Sequence, residues 1–323
     1  MSRLPPLRIG DITIDPPILQ GAMGAYISLH NLASAVSNEG ALGVITSVGL
    51  GEYADLYQDL SYEERSDRSL KDIIAETRKR TSRPFGVNIM YALTNHDRLV
   101  RVCVDEKVPI IVSGAGLPLK LPSLVSGSTS KMIPIVSSGK AADLICRTWR
   151  KRFNIYPDAF IVEGPLAGGH LGYSYEELEN INNISLEKIF TDVKKAVHGH
   201  SERIPIIVGG GIFSGSDIAR FLKIGAKGVQ MATRFIATFE CDASNALKNI
   251  ATSIELPVCN GEGILSIPTQ SVSLILMSFP RPLIKKLSGL IMTGLPPMLV
   301  SLTLINSVSP LMVSSSGESM NAE

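Results

Sequence analysis

The chain of 323 residues is 45% hydrophobic and has a formal net charge of +1, with 31 basic and 30 acidic residues. It can therefore bury a large core, and its balanced charge disfavours nucleic acid as a partner. The four cysteines lie far apart and form no CxxC pair. We therefore expect buried, reduced thiols in a cytoplasmic protein rather than disulfides or a zinc site.

Neither end of the chain is predicted to enter a membrane. Residues 1–15 lack the apolar segment that a secretory signal requires, so we expect mature sequence. Residues 290–313 carry no charge over a length that could span a bilayer. Pro296, Pro297 and Pro310 would interrupt a helix there, and we expect no membrane span.

Short apolar runs, each ending near Gly, Ser or an amide, recur along the chain and alternate with amphipathic stretches. Their Val and Ile content is typical of strands covered on both faces of a parallel sheet. The runs are 18–23, 42–47, 84–90, 108–116, 131–138, 159–165, 204–212 and 228–235. Eight such runs predict an α/β fold, a TIM (β/α)8 barrel over residues 1–250. A doubly wound open sheet is the alternative.

Serine and glycine residues mark the expected helix boundaries. Ser28 and Gly40 flank one amphipathic stretch, as N-cap and C-cap. Ser214 or Ser216 begins another stretch, which ends at Gly225. Both helices would follow a predicted strand of the barrel.

The active site of such a barrel lies at the C-terminal ends of its strands. After the seventh and eighth strands these barrels often bind phosphate through backbone N–H groups, and candidates there are Gly209, Gly210, Gly211 and Thr233. A tight turn would also explain the glycines. Asn88 offers an amide that suits the edge of a flavin ring, or it caps the next helix. Gln20 and Gln230 have the same two interpretations.

His170 follows the sixth strand, in a loop where Gly168, Gly169 and Gly172 leave the backbone open to a ligand. An imidazole titrating near neutral pH can take a proton from an acidic C–H group. Glu163 could fix this loop through hydrogen bonds to backbone N–H groups or act in the chemistry, and we expect the structural role.

Other candidate groups are assigned no chemistry. We expect surface positions for the remaining histidines, which are His30, His96, His198 and His200. Tyr26, Tyr173 and Tyr175 could line a substrate pocket or cover the barrel mouth. No metal-ligand motif and no GxSxG motif occurs, so we predict no metal site and no hydrolase.

Six motifs occur in order within residues 5–250, namely "PPILQGAMG", "LASAVSNEGALGVI", "PFGVNIM", "EGPLAGGHLGY", "VGGGIFSGSDIARFLKIGAKGVQMATRFIAT" and "ECDAS". Together they resemble the nitronate monooxygenase family, formerly called 2-nitropropane dioxygenases, and its relative the flavin-dependent enoyl-ACP reductase II. The resemblance implies FMN in a TIM barrel. It places FMN against Ala22, Met23, Asn88, Gly169, Gly210, Gly211, Gln230, Met231, Ala232 and Thr233.

The resemblance also implies an activity. His170 would deprotonate a nitroalkane or orient a nitronate, while FMN takes the electrons and is reoxidised by O2. The alternatives are an NAD(P)H-dependent enoyl-ACP reductase and a flavin-free or inactive remnant. The family usually has Gly where this chain has Ala22 and Ala232, so a methyl group would stand close to the phosphate. The oligomeric state stays open, with a homodimer among the alternatives.

Residues 251–323 depart from the family pattern. Between Pro257 and Ser316 the only acidic residue is Glu262, which is unlike a soluble helical cap. We interpret this low-charge C-terminal segment as a diverged or frame-shifted form of the helical cap that relatives have.

Overall fold

The computed structural model describes residues 4–24, 26–52, 57–169, 172–174, 177–178, 184–245 and 247–248, and strands alternate with helices along them. The strands are β1 (Leu7–Ile9), β2 (Ile12–Ile14), β3 (Ile18–Gln20), β4 (Val44–Thr46), β5 (Gly86–Met90), β6 (Ile110–Gly114), β7 (Lys131–Val136), β8 (Phe160–Glu163), β9 (Ile206–Gly209) and β10 (Gly228–Met231). The helices are α1 (His30–Asn38), α2 (Tyr62–Arg80), α3 (His96–Asp105), α4 (Leu121–Val125), α5 (Gly139–Phe153), α6 (Leu186–His198), α7 (Gly215–Lys223) and α8 (Thr233–Ile236).

Strands β3 to β10 form a parallel barrel, in the spatial order β3-β10-β9-β8-β7-β6-β5-β4. The two end strands meet through a parallel bridge between Leu19 and Leu42. There Gln20 N donates to Leu42 O over 2.9 Å, and Leu42 N donates to Ile18 O over 2.9 Å. This closure confirms the predicted TIM barrel, with all eight strands inside the eight predicted runs. The alternative of an open sheet is wrong.

The apolar side chains of the barrel divide into an inner and an outer cluster. On β8, Ile161 belongs to the cluster that fills the barrel, whereas Phe160 and Val162 pack outward against the helices. This alternation follows from the period of two in a strand. Because both faces are covered, the strands are apolar almost throughout, which made them recognisable in the sequence.

The N-terminal end of the barrel is closed by the antiparallel hairpin of β1 and β2, which the sequence analysis missed. Leu7, Ile9 and Ile14 are buried in the same cluster as the inner barrel residues. At the turn, the carboxylate of Asp11 lies 2.7 Å from Lys131 Nζ. The hairpin therefore fills the end of the barrel opposite the expected active site.

The predicted helix boundaries are partly confirmed. Ser214 caps α7 in a capping box with Asp217, and Gly225 follows its end with a φ of +106°. Ser28 is wrong as the N-cap of α1, because Leu29 holds that position without a side-chain hydrogen bond. The start of α1 is instead capped by a distant carboxylate, that of Asp242, which accepts from the backbone N–H groups of Leu29, Asn31 and Leu32.

Cys103, Cys146 and Cys241 are buried free thiols, as the sequence predicts, and Cys259 lies outside the described residues. Burial is the main cause that raises the pKa of each of these three thiols. In the described part of the chain, no helix has both the length and the apolar character needed to cross a bilayer. The apolar segment 290–313 lies outside that part.

Candidate active site

Three polar side chains point into the C-terminal half of the barrel interior. They are Asn88 on β5, Glu163 at the end of β8 and Gln230 on β10. The residues before and after Asn88 and Gln230, and the residue before Glu163, belong to the outer apolar cluster. Strand alternation therefore turns these three side chains inward. The barrel interior thus contains two of the predicted site residues, Asn88 and Gln230, together with Glu163 of β8.

Asn88 carries a polar atom without a partner. Its side-chain oxygen Oδ1 is buried and accepts no hydrogen bond from any described residue. The hydroxyl of Ser47, at the end of β4, is buried and unpartnered in the same way, and Ser47 N donates to Asn88 O over 3.1 Å. A buried acceptor that lacks a donor is costly in a folded protein. The orphan oxygen of Asn88, which faces into the barrel, is therefore suited to a polar ligand.

Glu163 and Gln230 contact each other inside the barrel. Gln230 Nε2 donates to Glu163 Oε1 over 2.9 Å. Gly209 on the intervening strand makes room, since a Cβ there would stand 3.1 Å from Gln230 Cβ and 3.2 Å from its Nε2. Burial raises the pKa of Glu163 to about 7, and the hydrogen bond from Gln230 opposes this shift in part. Among the described residues, the donor to this carboxylate is the amide of Gln230 and not a loop N–H group.

The glycines that follow β9 allow a loop to approach the barrel closely. Gly210 and Gly211 have φ angles of +101° and +75°. A Cβ on Gly210 would stand 2.9 Å from Ala167 N, and one on Gly211 would stand 2.9 Å from Leu166 Cδ1. Both positions require glycine, for the backbone conformation and for the contact with the loop after β8. Their backbone N–H groups stay phosphate candidates.

The start of α7 is already neutralised by the chain's own carboxylate. Asp217 Oδ2 accepts from Phe213 N over 3.2 Å and from Ser214 N over 2.9 Å. These are the donors that a phosphate at this helix terminus would use. The phosphate prediction therefore depends on Gly210, Gly211 and Thr233, the first residue of α8.

The residues that follow β10 and β3 lie side by side. The carbonyl of Met231 accepts from Gly21 N over 2.7 Å, and a Cβ on Gly21 would stand 3.3 Å from Ala232 Cβ. Ala22 is half-buried against the inner cluster. The methyl groups that distinguish this chain from the family pattern thus lie at the predicted cofactor end of the barrel.

Gln20 and Met23 have most of their polar groups bound within the protein. Gln20 is fully buried, and its amide bonds Ser28 Oγ, Gly21 O and Val44 N. Met23 N donates to Ser28 Oγ over 2.9 Å, and Met23 O accepts from Ser28 N over 3.2 Å. Of the two roles considered for Gln20, contact with a flavin or a structural role, the structure supports the structural one. Ser28 holds the turn after β3 and does not cap α1.

His170 lies outside the described residues, but both flanks of its loop are described. Gly169 is exposed, with a φ of +92°, and a Cβ there would meet open space. On the far side, a Cβ on Gly172 would collide with Ser137 Oγ, and Tyr173 Oη donates to Glu163 O over 2.8 Å. The loop is thus held to the ends of β7 and β8, and Tyr173 lies across the barrel mouth. Tyr175 is also outside the described residues.

The surface position expected for His96 is wrong. This imidazole is 3% exposed, with Nδ1 2.9 Å from Asp97 Oδ1 and Nε2 3.4 Å from Ser113 Oγ. The Tyr91 ring meets it edge-on at 5.0 Å between centroids. His96 begins α3 and turns back toward the ends of β5 and β6, so it supports the barrel rim. Tyr26 is likewise buried in the outer core, beneath the mouth.

The residues present fit a bound flavin. The buried orphan oxygen of Asn88 can accept from a ring N–H group. Gly210 and Gly211, which follow β9, are only partly buried and could offer backbone N–H groups to a phosphorylated ligand. These groups would suit the ring and the phosphate of FMN, which stays a prediction for this chain.

Comparison with known proteins gives a family model and several relatives. The model described as nitronate monooxygenase matches residues 6–98 and 92–257. A (3aS,4S,5R,7aS)-5-hydroxy-7a-methyl-1-oxo-octahydro-1H-indene-4-carboxyl-CoA dehydrogenase of Mycobacterium tuberculosis is 28% identical over 237 residues, which cover 73% of this chain and 57% of that protein. A probable nitronate monooxygenase of Staphylococcus aureus is 24% identical over 276 residues, which cover 74% and 69%.

Solved structures show the same fold. FabK from Thermotoga maritima is 33% identical, with a TM-score of 0.58 over 72% of this chain and 63% of FabK. Nitroalkane oxidase from Streptomyces ansochromogenes is 24% identical, with a TM-score of 0.58 over 72% and 69%, and shares the fold. The chain spans 57% of the length of the first curated relatives. Because the family model covers most of the barrel, the chain belongs to the nitronate monooxygenase family, a family of flavin-dependent oxidoreductases.

Proposed function

We propose that this chain is an FMN-dependent nitronate monooxygenase that oxidises alkyl nitronates or nitroalkanes with O2. The observation that supports it most is the buried, unpartnered Oδ1 of Asn88 inside a barrel of this family. An amide at this depth without a partner is explained by a ligand that donates to it. A probable nitronate monooxygenase among the relatives makes the reaction class a direct expectation.

Each part of the site has a proposed task. Asn88 and the backbone after β3 would hold the flavin ring, and Gly169 would let the loop after β8 approach it. Gly210, Gly211 and the segment Gln230 to Thr233 would hold the phosphate end. Bound FMN would supply the two-electron oxidation and the reaction with O2.

The proton step belongs to His170. In its neutral form the imidazole would take the proton from the carbon next to the nitro group, and that carbon becomes the nitronate. The glycines on both sides of the histidine would give the substrate room at this point of the loop. Tyr173, bonded to Glu163 O, would cover the mouth and limit the access of water.

An anaerobic titration tests the reaction class. FMN-reconstituted protein is mixed separately with propyl nitronate and with NADH, while the flavin absorbance is followed. Bleaching by the nitronate alone supports the monooxygenase. Bleaching by NADH alone contradicts it and favours a reductase, and a protein that takes up no flavin corresponds to the inactive remnant.

The role of His170 has its own test, because only one of two substrates needs a base. His170→Ala should lower kcat/KM for a neutral nitroalkane by at least about 100-fold. It should affect the preformed nitronate much less, since that substrate has already lost its proton. His198→Ala, on the outer helix α6, is the matched control and should change neither. Equal losses for both substrates would contradict a base role.

Reduction of an enoyl thioester with NAD(P)H is the second candidate. It is favoured by the 33% identity to FabK, an enoyl-ACP reductase II, and by the CoA-thioester dehydrogenases among the relatives. An acyl thioester is a long ligand that needs an open barrel mouth. Oxidation of NADH by the protein in the presence of a crotonyl thioester would support this candidate over the first.

Cofactor-bound protein of this kind would work on small molecules in the cytoplasm. That location is supported by the three buried free thiols. A homodimer is part of the same proposal, and size-exclusion chromatography with light scattering tests it.

A further inference from the structure

A carboxyl group without a described cationic partner lies inside the barrel, where the proposed reaction assigns it no task. Glu163 ends β8 and turns inward, and Gln230 Nε2 donates to its carboxyl group over 2.9 Å. Among the described ion pairs, none includes Glu163. An isolated charge at such a site is strongly disfavoured by the loss of hydration.

Three adjacent strands build this arrangement. The pairing register places Glu163 beside Gly209 and Gly209 beside Gln230. The bare Gly209 lets the amide of Gln230 pass over the middle strand to reach the carboxyl group. A neutral amide can bond both forms of the carboxyl group, so the contact persists when the proton leaves. The site is thus built to hold either form, and near neutral pH both are populated, because burial brings the pKa of Glu163 to about 7.

We propose that Glu163 is a proton-coupled positioning residue, whose carboxyl group takes up a proton when anionic FMN binds at this end of the barrel. The inference rests on the proposed FMN site. FMN brings a phosphate with a charge near −2 at neutral pH, and a second negative charge in the low-dielectric interior opposes its binding. Protonation of Glu163 removes that opposition and leaves Gln230 in place. At most one proton is taken up for each FMN bound.

The other described groups around Glu163 do not titrate in this range. By register, β7 contributes Ser137, β9 contributes Gly209 and β10 contributes Gln230. The loop contributes Tyr173, whose hydroxyl donates to Glu163 O and whose pKa is raised, mainly by burial and further by Glu163. His170 is not among the described residues, so the experiment must distinguish its proton from that of Glu163.

Calorimetry of FMN binding to the apoprotein measures the proton directly. The binding enthalpy at pH 7.5 is compared in Tris and HEPES, which differ in their enthalpy of ionisation. We expect wild-type protein to take up more protons per FMN bound than Glu163→Gln does, with a difference of up to one proton. At pH 6 the two proteins should take up the same number. Relative to this variant, the wild-type Kd should rise up to about tenfold for each pH unit above 7.

Three further variants complete the design. Glu76→Gln makes the same chemical change on the exposed face of α2 and should behave like wild type. Gln230→Met removes the amide that favours the ionised form of Glu163, so proton uptake on FMN binding should extend to higher pH. This variant keeps the test available if Glu163→Gln does not fold. His170→Gln should retain the uptake.

Three results would overturn the inference. Equal proton uptake by wild type and Glu163→Gln would overturn this inference but not the proposed function. Loss of the proton uptake in His170→Gln would do the same. Absence of FMN binding to wild-type protein overturns the proposed function together with it. Neither the proton uptake nor the Kd for FMN depends on enzymatic turnover.

Discussion

Two amides on barrel strands, Asn88 and Gln20, illustrate how hydrogen bonding separates a ligand group from a structural one. Gln20 uses both ends of its amide within the protein, whereas Oδ1 of Asn88 has no described donor. Both were ambiguous in sequence, because an amide at a strand end looks the same in either role. The difference between them predicts opposite effects of mutation.

Asn88→Ala should weaken FMN binding by about tenfold while the free energy of unfolding of the apoprotein falls by less than about 1 kcal/mol. The small cost is expected because an unpartnered acceptor is removed. Gln20→Met is the contrast, and should lower the free energy of unfolding by about 2 to 4 kcal/mol, because it leaves buried partners unpaired. Urea unfolding and flavin fluorescence quenching measure the two effects. A large stability loss in Asn88→Ala would argue against a ligand role.

Glu163 should make the stability of the apoprotein depend on pH. Its pKa in the folded protein is raised to about 7 from the ordinary 4.5, so the folded state binds the proton more tightly. Its contribution to stability is therefore full below pH 4.5 and is lost as the pH rises through 7. At most about 3 kcal/mol is lost in this way.

The matched variant is Glu163→Gln, which cannot ionise. Its free energy of unfolding, relative to wild type, should increase by about 2 kcal/mol between pH 5 and pH 8. Urea titrations at the two pH values measure this difference, in which all other titrating groups cancel. Parallel pH profiles for the two proteins would contradict the burial of an ionisable carboxyl group.

At the scale of elements, the start of α1 depends on a carboxylate more than 200 residues away. Asp242 accepts from the N–H groups of Leu29, Asn31 and Leu32, and Asp242 N donates to Ile27 O over 3.2 Å. The "ECDAS" motif thereby fixes the turn after β3, where the cofactor is proposed to bind. A negative charge at a helix N-terminus adds to the effect of the hydrogen bonds.

Asp242→Ala should lower the free energy of unfolding by about 2 kcal/mol and weaken FMN binding, because the turn before α1 loses its anchor. Asp242→Asn, which keeps one acceptor oxygen, should fall between this variant and wild type. Chemical denaturation of the three proteins gives the order. An unfolding midpoint for Asp242→Ala equal to that of wild type would show that the cap is dispensable.

The elements differ in how far the sequence alone could predict them. The eight barrel strands were predictable, since burial on both faces makes them short, continuous Val- and Ile-rich runs. The β1–β2 hairpin was missed because its strands have three residues each, although Gly10 and Asp11 between "LRI" and "ITI" are a recognisable turn signal. The cap by Asp242 and the Glu163–Gln230 contact join residues far apart in sequence. Only the register of the closed barrel creates them.

At the scale of the whole molecule, residues 1–250 are predicted to be the FMN-binding unit. The ten described strands, and every described side chain of the proposed site, fall within residues 4–248. The tail from 251 onward, with its unusual composition, lies outside the described residues. Its interpretation as a diverged or frame-shifted cap stays a prediction, which peptide mass spectrometry over residues 257–316 tests.

A protein that ends at residue 250 should therefore keep the far-ultraviolet circular dichroism of a TIM barrel and bind FMN within about threefold of the full chain. The reason is that barrel closure and the Asp242 cap are both retained. A matched truncation at residue 240, which removes the cap, should bind FMN more weakly and unfold earlier. Loss of FMN binding in the longer truncation would assign part of the cofactor site to the tail.

The hairpin at the N-terminal end of the barrel determines the order in which ligands can enter and leave. Leu7, Ile9 and Ile14 fill one end, and the Asp11–Lys131 ion pair lies at its rim. In the described part of the chain this leaves the opposite end of the barrel open to ligands, and the proposed cofactor and its substrate would both enter there. The deeper ligand has to arrive first and depart last. Substrate that occupies the entrance should slow the exchange of FMN, so a working enzyme would retain its cofactor best while turnover keeps that entrance filled.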